Sequence, residues 1–525
     1  MDPNSTSWVL KQGYLLLIAA SLAAGSVAAA VMYRLYYLMN PKRKAASSWP
    51  PTPPGYPIFG HLHLLGAQPH MDMFKLGQKY GPLFHLRMGC TDALVVCSAA
   101  MAKEVLKIHD RAFASRTNGA CVEIFSHNFQ DVAGAPYGAH WRSMRKICLL
   151  ELFTPKRLES FQYMRNEETS SLVQNMLEES HSGNAVTMSL KLTQLTLNVV
   201  TRMAMGKSVI RWGCGADVAA ESKKFRDIIQ EIFVLSGIVN NLGDYFPSLR
   251  RFDLQGYEKR MRAAVRRFDD VAYQMIDEHR KEKRELAQST DLLDVLLSLP
   301  AGEDGKLSDV KVVAVMLDIL TAGVDTSSST IEWALTELIK ESEKMKRVQE
   351  EIESVVGTER KVEESDLPNF PYLYAIVKET LRLHPPAPLL LPHESIEACK
   401  LQGYNIPAKT RLYVNVFAIG RDPTVWDRAL DFLPERFLES QIDCRGQNFE
   451  LLPFGSGRRI CPGMSLGLSM VQLTLSRLLH SFDFELPAWQ KREDIDMNET
   501  FGLTCYKTEP LQLVPKPRLS TCKLY

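Results

Sequence analysis

The segment that decides the fold reads PFGSGRRICPG and spans residues 453–463. It places one cysteine, Cys461, among several glycines, directly before a predicted apolar helix. Glycine lets the backbone approach a flat group closely, because it carries no side chain. Arg458 and Arg459 add positive charge, which favours a thiolate and could neutralise nearby carboxylates. These residue types leave three roles open for Cys461: a ligand facing a planar cofactor, a catalytic thiol or an inert thiol.

A long helix with a weak centre is predicted from Ser308 to Lys346. At about 1.5 Å per residue it would span roughly 50 Å, which is long enough to cross a domain. Its middle, AGVDTSSST at residues 322–330, contains a glycine and several hydroxyl side chains, which disfavour a regular helix. The pattern indicates either a functional break or a packing kink lined by Ser and Thr.

The rest of the body is mostly helical in pattern. Apolar residues recur at helical spacing from Asp253 to Leu286 and from Met464 to Phe482. Apolar and polar residues alternate from Leu83 to Arg87 and from Arg411 to Val416, which is typical of strands. The sequence therefore predicts a mainly α protein with a minor β portion.

The overall composition excludes several classes of protein. The 525 residues carry 62 Lys and Arg against 61 Asp and Glu, a net charge of +1, which argues against binding nucleic acid through its phosphates. The ten cysteines form no C-x-x-C pair and indicate reduced thiols, not a disulfide framework. Length alone would allow about three or four domains.

A membrane anchor is predicted near the N-terminus. The 22 residues from Gln12 to Tyr33 carry no charge and would reach about 33 Å as a helix, close to the roughly 30 Å of a bilayer core. A cleaved signal peptide is the alternative, although its apolar region is typically only about 7–15 residues. Basic residues follow the span at 34–44, which places the rest of the chain in the cytoplasm. The proline-rich segment 49–57 then predicts a stiff, extended spacer.

The cysteine segment resembles the haem-thiolate loop of the cytochrome P450 family. The resemblance rests on the pattern F-x-x-G-x-R-x-C-x-G at residues 454–463. Three further family signatures follow the expected order: AGVDT at 322–326 as the oxygen-activating groove, E-x-x-R at 379–382 and PERF at 434–437. W-x-x-x-R at 141–145 is similar to the family's haem-propionate helix. The resemblance covers residues from about 45 to 517, together with the anchor and hinge of the microsomal type.

The resemblance implies a role for each matching residue. Cys461 would be the axial ligand of the haem iron, whose electron donation favours cleavage of the O–O bond. Asp325 and Thr326 would deliver protons to bound oxygen and are the implied catalytic residues. The implied structural network consists of Glu379, Arg382 and Arg436. The implied cofactor-binding residues are Trp141, Arg145, His393, Phe454, Gly457, Arg459 and Gly463.

The resemblance also implies the organisation of the chain. The expected fold is the cytochrome P450 fold, mainly α with a minor β portion, in a single large haem domain preceded by a transmembrane helix. The expected boundaries are a lumenal N-terminus at 1–11, the anchor at 12–33, a basic and proline-rich hinge at 34–57, the haem-thiolate monooxygenase domain at 58–517 and a C-terminal tail at 518–525. The protein would be a single-pass protein of the endoplasmic reticulum membrane, with its catalytic domain facing the cytosol.

The implied cofactors are haem b, O2 and NADPH acting through a partner. The chain contains no G-x-G-x-x-G segment between a strand and a helix, so it is not expected to bind the dinucleotide itself. The implied partner is NADPH-cytochrome P450 reductase, with membrane lipid around the anchor and a small aromatic or lipophilic substrate. The basic residues proposed to face the reductase are Arg142, Arg145, Lys146, Lys156 and Arg157. A merely solvated basic face is the alternative.

The substrate is predicted from two further similarities. The segments PLLLPHE at 388–394 and DMNETFGLT at 496–504 resemble those of plant phenylpropanoid ring hydroxylases, especially ferulate or coniferaldehyde 5-hydroxylases. Flavonoid 3'-hydroxylases share much of the pattern and give the alternative of B-ring 3'- or 3',5'-hydroxylation, and a fatty acid or terpenoid also fits an apolar pocket. A haem-binding sensor without turnover is the alternative of a different class. The pocket candidates are Phe125, Leu317, Ala322, Gly323, Leu390, Phe501 and Leu503.

Overall fold

The computed structural model describes residues 49–208, 219–238, 241–282, 291–299 and 307–519, together with the isolated residues 25, 26 and 212. The predicted anchor at 12–33 therefore lies outside the described residues, apart from 25 and 26, as do most of the basic hinge and the last residues of the tail. Within the described ranges, no helix combines the length and apolar character needed to cross a membrane.

Helices make up most of the described chain. The α-helices are α1 (Pro69–Tyr80), α2 (Ala99–Lys103), α3 (Ala120–Phe125), α4 (Ala139–Ile147), α5 (Pro155–Ser160), α6 (Gln162–Ser180), α7 (Met188–Met205), α8 (Ala219–Ser236), α9 (Leu242–Tyr245), α10 (Pro247–Arg250), α11 (Tyr257–Glu282), α12 (Leu292–Ser298), α13 (Asp309–Gly323), α14 (Asp325–Lys340), α15 (Ser342–Val356), α16 (Pro371–Leu383), α17 (Val416–Ile419) and α18 (Met464–Ser481).

Short strands form the minor β portion. The strands are β1 (Leu83–Met88), β2 (Thr91–Val96), β3 (Ser115–Arg116), β4 (Val186–Thr187), β5 (His393–Glu394), β6 (Cys399–Leu401), β7 (Tyr404–Ile406), β8 (Arg411–Val414), β9 (Phe482–Glu485), β10 (Glu499–Thr500), β11 (Tyr506–Lys507) and β12 (Gln512–Pro517). The largest sheet has the order β1-β2-β8-β5-β3, in which β2 and β8 are parallel and the other pairs antiparallel. Smaller sheets pair β4-β12-β9, β10-β11 and β6-β7.

The predicted long helix is divided into separate helices. Val324 lies at the junction between α13 and α14, with φ −82° and ψ −69°. Hydroxyl groups around the junction bond back to the preceding turn: Thr326 Oγ1 donates to the carbonyl of Ala322 at 2.7 Å. Such bonds compete with the backbone ladder and bend helices. The predicted end at Lys346 is wrong, because the chain leaves helical geometry at Glu341 before α15 begins.

The other predicted elements differ mainly at their ends. The predicted helix from Met464 lasts until Ser481, and Phe482 opens β9 instead. The predicted strand from Arg411 stops at Val414, because the side chain of Asn415 accepts a hydrogen bond from the Ala418 amide and caps α17. Polar capping residues end strands and start helices in this way.

One apolar core holds the elements that carry the sequence signatures. The helix α14 packs against α7, α16 and α18, and α18 also packs against α6, α15 and α16. Trp333, on α14, is among the largest fully buried side chains. The cysteine segment, which precedes α18, and the signature at the start of α14 therefore belong to one body of packed helices.

The proline-rich segment lies against the large sheet. The ring of Trp49 stacks on that of His85 in β1, with centroids 4.2 Å apart. The amide of His85 donates to the carbonyl of Pro51 at 3.0 Å. The extended segment therefore adds backbone pairing at the β1 edge of the sheet.

Candidate functional site

The cysteine segment forms a tight loop ahead of α18. The amide of Cys461 donates to the carbonyl of Phe454 at 2.9 Å and closes the loop. Gly457 has a φ of +67°, and a Cβ there would lie 2.3 Å from the carbonyl oxygen of Leu106. Glycine is therefore required at position 457 for two reasons: the backbone is left-handed there, and it packs closely against the backbone of Leu106. In contrast, no atom lies within 4 Å of a Cβ placed at Gly463, so this glycine borders open space.

The thiol of Cys461 is half-buried next to a buried arginine. Burial raises the pKa of this thiol, and the amide of Gly463 and the charge of Arg145 oppose that rise. The guanidinium of Arg145 donates to the carbonyl of Ile460, one residue before the cysteine. Arg458 does not contribute as predicted: it is exposed and pairs with Asp110. The cation beside the thiol is therefore Arg145.

A buried cluster of cations lies beside the loop. The backbone carbonyls of residues 132–135 accept hydrogen bonds from Arg459, Arg116 and the indole of Trp141. The Arg459 guanidinium also lies over the Trp141 ring at 4.2 Å. In the described part of the chain, the side-chain hydrogen bonds of Arg145 and Arg459 all go to backbone carbonyls and none goes to a carboxylate. Burial, with the charge of Arg116, lowers the pKa of Arg459 to about 8.

His393 lies close to the same cluster. One ring nitrogen, Nδ1, is 2.8 Å from the carbonyl of Phe113. Burial, together with the charge of Arg116, lowers the pKa of His393 well below its usual range. The imidazole is therefore neutral: its Nδ1–H donates to the Phe113 carbonyl, and Nε2 is left as an acceptor.

Two buried carboxyl groups support the backbone that holds these cations. Asp318 of α13 accepts hydrogen bonds from the amides of Val132 and Ala133 at 2.9 and 3.1 Å, and Asp131 accepts from Gly134 at 2.8 Å. Burial raises the pKa of both acids, that of Asp318 to about 6, and each faces the other. This pair is absent from the residues predicted from the sequence, although an acid within the apolar run VVAVMLDIL is a signal for it.

The Asp318 carboxyl predicts a specific pH dependence of stability. Its raised pKa means that it binds its proton more tightly in the folded state, so its stabilising contribution is present below pH about 4 and is lost as pH rises to about 6. Asp318→Asn keeps an acceptor and removes the titration. We expect the melting temperature of the variant, relative to the parent, to rise across this pH window. A difference that is constant from pH 4 to 6 would contradict the assignment.

The helix junction presents one accessible side. Ala322 is exposed and Asp325 and Thr326 are partly exposed, although their neighbours in α14 are buried. These three residues share one helix face, because they are three and four positions apart. Burial raises the pKa of Asp325 to about 6. Gly323 faces the other way: a Cβ there would lie 2.9 Å from Val200 of α7, so its small size serves helix packing.

The E-x-x-R pair is fully buried. Two oxygens of Glu379 accept from Arg382 Nε and Nη2, each at 2.7 Å, and Arg436 Nε lies 3.1 Å from Glu379 Oε1. Arg382 also donates to the carbonyls of Gly420 and Ala429. Every charge in this network has a partner, as a buried ionic group requires. The network ties α16 to the chain that leads into the cysteine loop.

The remaining pocket candidates differ in their surroundings. Leu317 is only 2% exposed and packs in the main core, with the half-buried Phe125 and Leu503 beside the same core. Phe501 stacks on the ring of His70, with centroids 5.4 Å apart. Leu390 is half-buried with a φ of +52°.

These residues fit a flat cofactor that carries two carboxylates, as haem does. Arg145, Arg459 and Trp141 are buried hydrogen-bond donors, and two of them are guanidiniums without an anionic partner among the described residues. Arginine recognises carboxylates with two parallel hydrogen bonds. The accessible thiol of Cys461 and the open space at Gly463 lie on the adjoining loop.

Comparison with known proteins agrees with this fit. The family model for cytochrome P450 matches residues 50–513. A flavonoid 3'-monooxygenase from Crocosmia x crocosmiiflora is 41% identical over 93% of this chain and 96% of its own length, and one from Petunia hybrida is 41% identical over 90% and 92%. A cytochrome P450 from Panax ginseng is 43% identical over 90% and 93%. A zebrafish cytochrome P450 solved with abiraterone has a TM-score of 0.72 at 27% identity, over 86% of this chain and all of the other. This chain belongs to the cytochrome P450 family and is a monooxygenase that uses haem iron, O2 and electrons from NAD(P)H through a reductase.

Proposed function

We propose that this protein hydroxylates the B ring of a flavonoid at the 3' position. The observation that carries the proposal is the similarity to flavonoid 3'-monooxygenases and 3',5'-hydroxylases over more than nine tenths of the chain. The sequence motifs predict a ferulate or coniferaldehyde ring as substrate, with a flavonoid as the alternative. The relatives favour that alternative, because several are flavonoid hydroxylases.

The haem would be held by the loop and the buried cations. Cys461 is the proposed iron ligand, with Phe454, Gly457 and Gly463 shaping its loop. When bound, the haem supplies the activation of O2 and the insertion of one oxygen atom into the substrate. The groups proposed to bind its carboxylates are Arg145 and Arg459, with the Trp141 ring packed against the Arg459 guanidinium. His393 is proposed to border the cofactor without binding a carboxylate, because its one N–H already donates to the Phe113 carbonyl.

The accessible side of α14 would supply protons. Burial holds the pKa of Asp325 at about 6, so this carboxyl can take up and release a proton near neutral pH. The Thr326 hydroxyl now donates to the Ala322 carbonyl and can turn to donate into the adjacent space. Both side chains are accessible on the same face of the helix.

Thr326→Ala is expected to separate NADPH consumption from product formation. Loss of the hydroxyl removes a donor on the accessible face, so reducing equivalents should appear as hydrogen peroxide while NADPH is still oxidised. The measurement is the ratio of hydroxylated product to NADPH consumed. Thr330→Ala is the matched control, because Thr330 makes the same back-bond to Thr326 at 2.7 Å but is buried. Full coupling in Thr326→Ala would remove this residue from proton delivery.

The predicted anchor and an exposed basic surface are proposed to bring the protein to the membrane and to its reductase. The predicted anchor at 12–33 would hold the protein in the endoplasmic reticulum membrane with the body in the cytosol. Arg142, Lys146 and Lys156 are exposed, beside the exposed Leu149 and Leu150, and form a basic surface suited to an acidic reductase. The predicted patch needs one correction: Arg145 is buried against Ile460 and belongs to the cofactor site.

The function is tested by turnover in microsomes supplied with reductase and NADPH. The substrates to compare are flavonoids with a single 4'-hydroxyl on the B ring, hydroxycinnamates with their aldehydes and alcohols, and fatty acids. We expect a 3'-hydroxylated flavonoid as the main product. Conversion of coniferaldehyde or ferulate without any flavonoid product would restore the first interpretation, and no product from any phenolic compound would overturn both.

A further inference from the structure

We propose that Glu499 is a specificity-determining positioning residue, whose buried carboxylate fixes the turn at 501–504 beside the substrate. The inference rests on the proposed function, which supplies the substrate, and on the sequence prediction that Phe501 and Leu503 of this turn line the pocket. Glu499 is 5% exposed and lies in β10, immediately before the turn. No role was assigned to this residue from the sequence.

One carboxylate connects the turn to two helices. Glu499 Oε2 lies 3.3 Å from Nε2 of His70 in α1, and Oε1 lies 3.4 Å from Nδ1 of His384 at the end of α16. The thiol of Cys505, at the far end of the turn, donates to Oε2 at 3.1 Å. The side chain therefore holds both ends of the turn and anchors them to the helical body.

The partners of Glu499 also contact α14, the helix that carries the proposed proton donors. His384 Nε2 lies 2.8 Å from Glu337 Oε1, and its ring stacks on Trp333 at 3.9 Å, both on α14. Ser329, one turn after Asp325, donates to the carbonyl of Cys505 at 3.0 Å. A shift of Glu499 would therefore move the turn relative to the accessible face of α14.

The turn has little regular structure of its own. The strands β10 and β11 pair over only two residues each, Glu499 with Lys507 and Thr500 with Tyr506. So short a hairpin is weak by itself and depends on side-chain anchors. The turn is also closely packed, since a Cβ at Gly237 would lie 2.5 Å from the amide nitrogen of Leu503. A small displacement would change the space beside the substrate.

The charge of Glu499 is part of the anchor. Burial favours the neutral acid, but the imidazoles of His384 and His70 and the thiol of Cys505 beside the carboxylate outweigh it and hold the pKa of Glu499 well below its usual range. Hydrogen bonds to an ionised acceptor are about twice as strong as neutral ones. Glu499→Gln keeps the size of the side chain and removes the charge, which isolates this contribution.

The test compares Glu499→Gln with Glu332→Gln. Glu332 is also buried, lies on α14 and accepts from the Leu511 amide at 2.9 Å, beyond the turn. We expect both variants to keep the spectrum of the reduced carbon monoxide complex. Only Glu499→Gln should weaken flavonoid binding, by about tenfold in the spin-state titration with naringenin, because the weaker anchor lets the turn shift away from the ligand. Unchanged binding in Glu499→Gln, or an equal loss in both variants, would overturn the proposal.

A second measurement does not depend on the substrate. Amide hydrogen exchange at residues 500–506 should be faster in Glu499→Gln and unchanged in Glu332→Gln. If the parent protein binds no flavonoid, the proposed function fails, and the exchange data still decide whether Glu499 holds the turn. His70→Phe is the alternative variant if Glu499→Gln does not fold, because it keeps the stacking on Phe501 and removes one partner of the carboxylate. Exchange at the parent rate in both variants would refute the anchor.

Discussion

Arg382→Ala is expected to yield almost no folded haem protein. Arg382 is 1% exposed, makes two hydrogen bonds to Glu379 and donates to three backbone carbonyls, those of Gly420, Ala429 and Asp431. Its removal leaves Glu379 charged and partly unpaired in the core. Breaking a buried ion pair by removing one partner costs about 3–5 kcal/mol, a large part of the roughly 5–15 kcal/mol that stabilises a typical domain.

The yield of holoprotein and the melting temperature measure this effect. Arg347→Ala is a suitable control, because Arg347 pairs with Glu435 at 3.2 Å but is half-exposed. Exposed pairs contribute about 0–1 kcal/mol, so the control should express and melt almost as the parent does. Parent-like yield and melting temperature in Arg382→Ala would show that the buried network is dispensable.

Cys461→Ser is expected to abolish monooxygenase turnover, with a loss of at least about a thousandfold. The Ser hydroxyl does not ionise near neutral pH and donates far less electron density to iron than a thiolate does. Haem content should fall less than activity, because the buried cations at Arg145 and Arg459 remain. The measurements are haem content per protein and reductase-driven hydroxylation of the flavonoid.

The control is another half-buried cysteine. Cys399 lies in β6 and is not one of the residues assigned to the cofactor site, so Cys399→Ser should keep both haem and activity. Turnover of Cys461→Ser at a rate comparable with the parent would assign the iron to a different ligand.

The local features of the fold could be predicted from the sequence. The glycines and the single cysteine at 453–463 predict a tight loop. The hydroxyl-rich segment at 322–330 predicts a break in the helix, which lies at Val324 in the structure. Both signals are local, because the residues that define them are adjacent in the chain. The end of the long helix at Lys340 was missed, since charged and helix-favouring residues continue across the break at Glu341.

The features that depend on distant contacts could not be predicted. Arg458 and Arg459 are adjacent, yet one pairs with Asp110 at the surface and the other is buried against the backbone near Trp141. Glu499 lies 115 positions from His384 and more than 400 from His70, so spacing along the chain carries no sign of these contacts.

The reduced carbon monoxide difference spectrum of the parent protein tests the central claim, that Cys461 binds haem iron as a thiolate. A thiolate ligand predicts a Soret band at about 450 nm for the reduced carbon monoxide complex of the folded protein. A band near about 420 nm with none near 450 nm, in protein that is folded and holds haem, would contradict it.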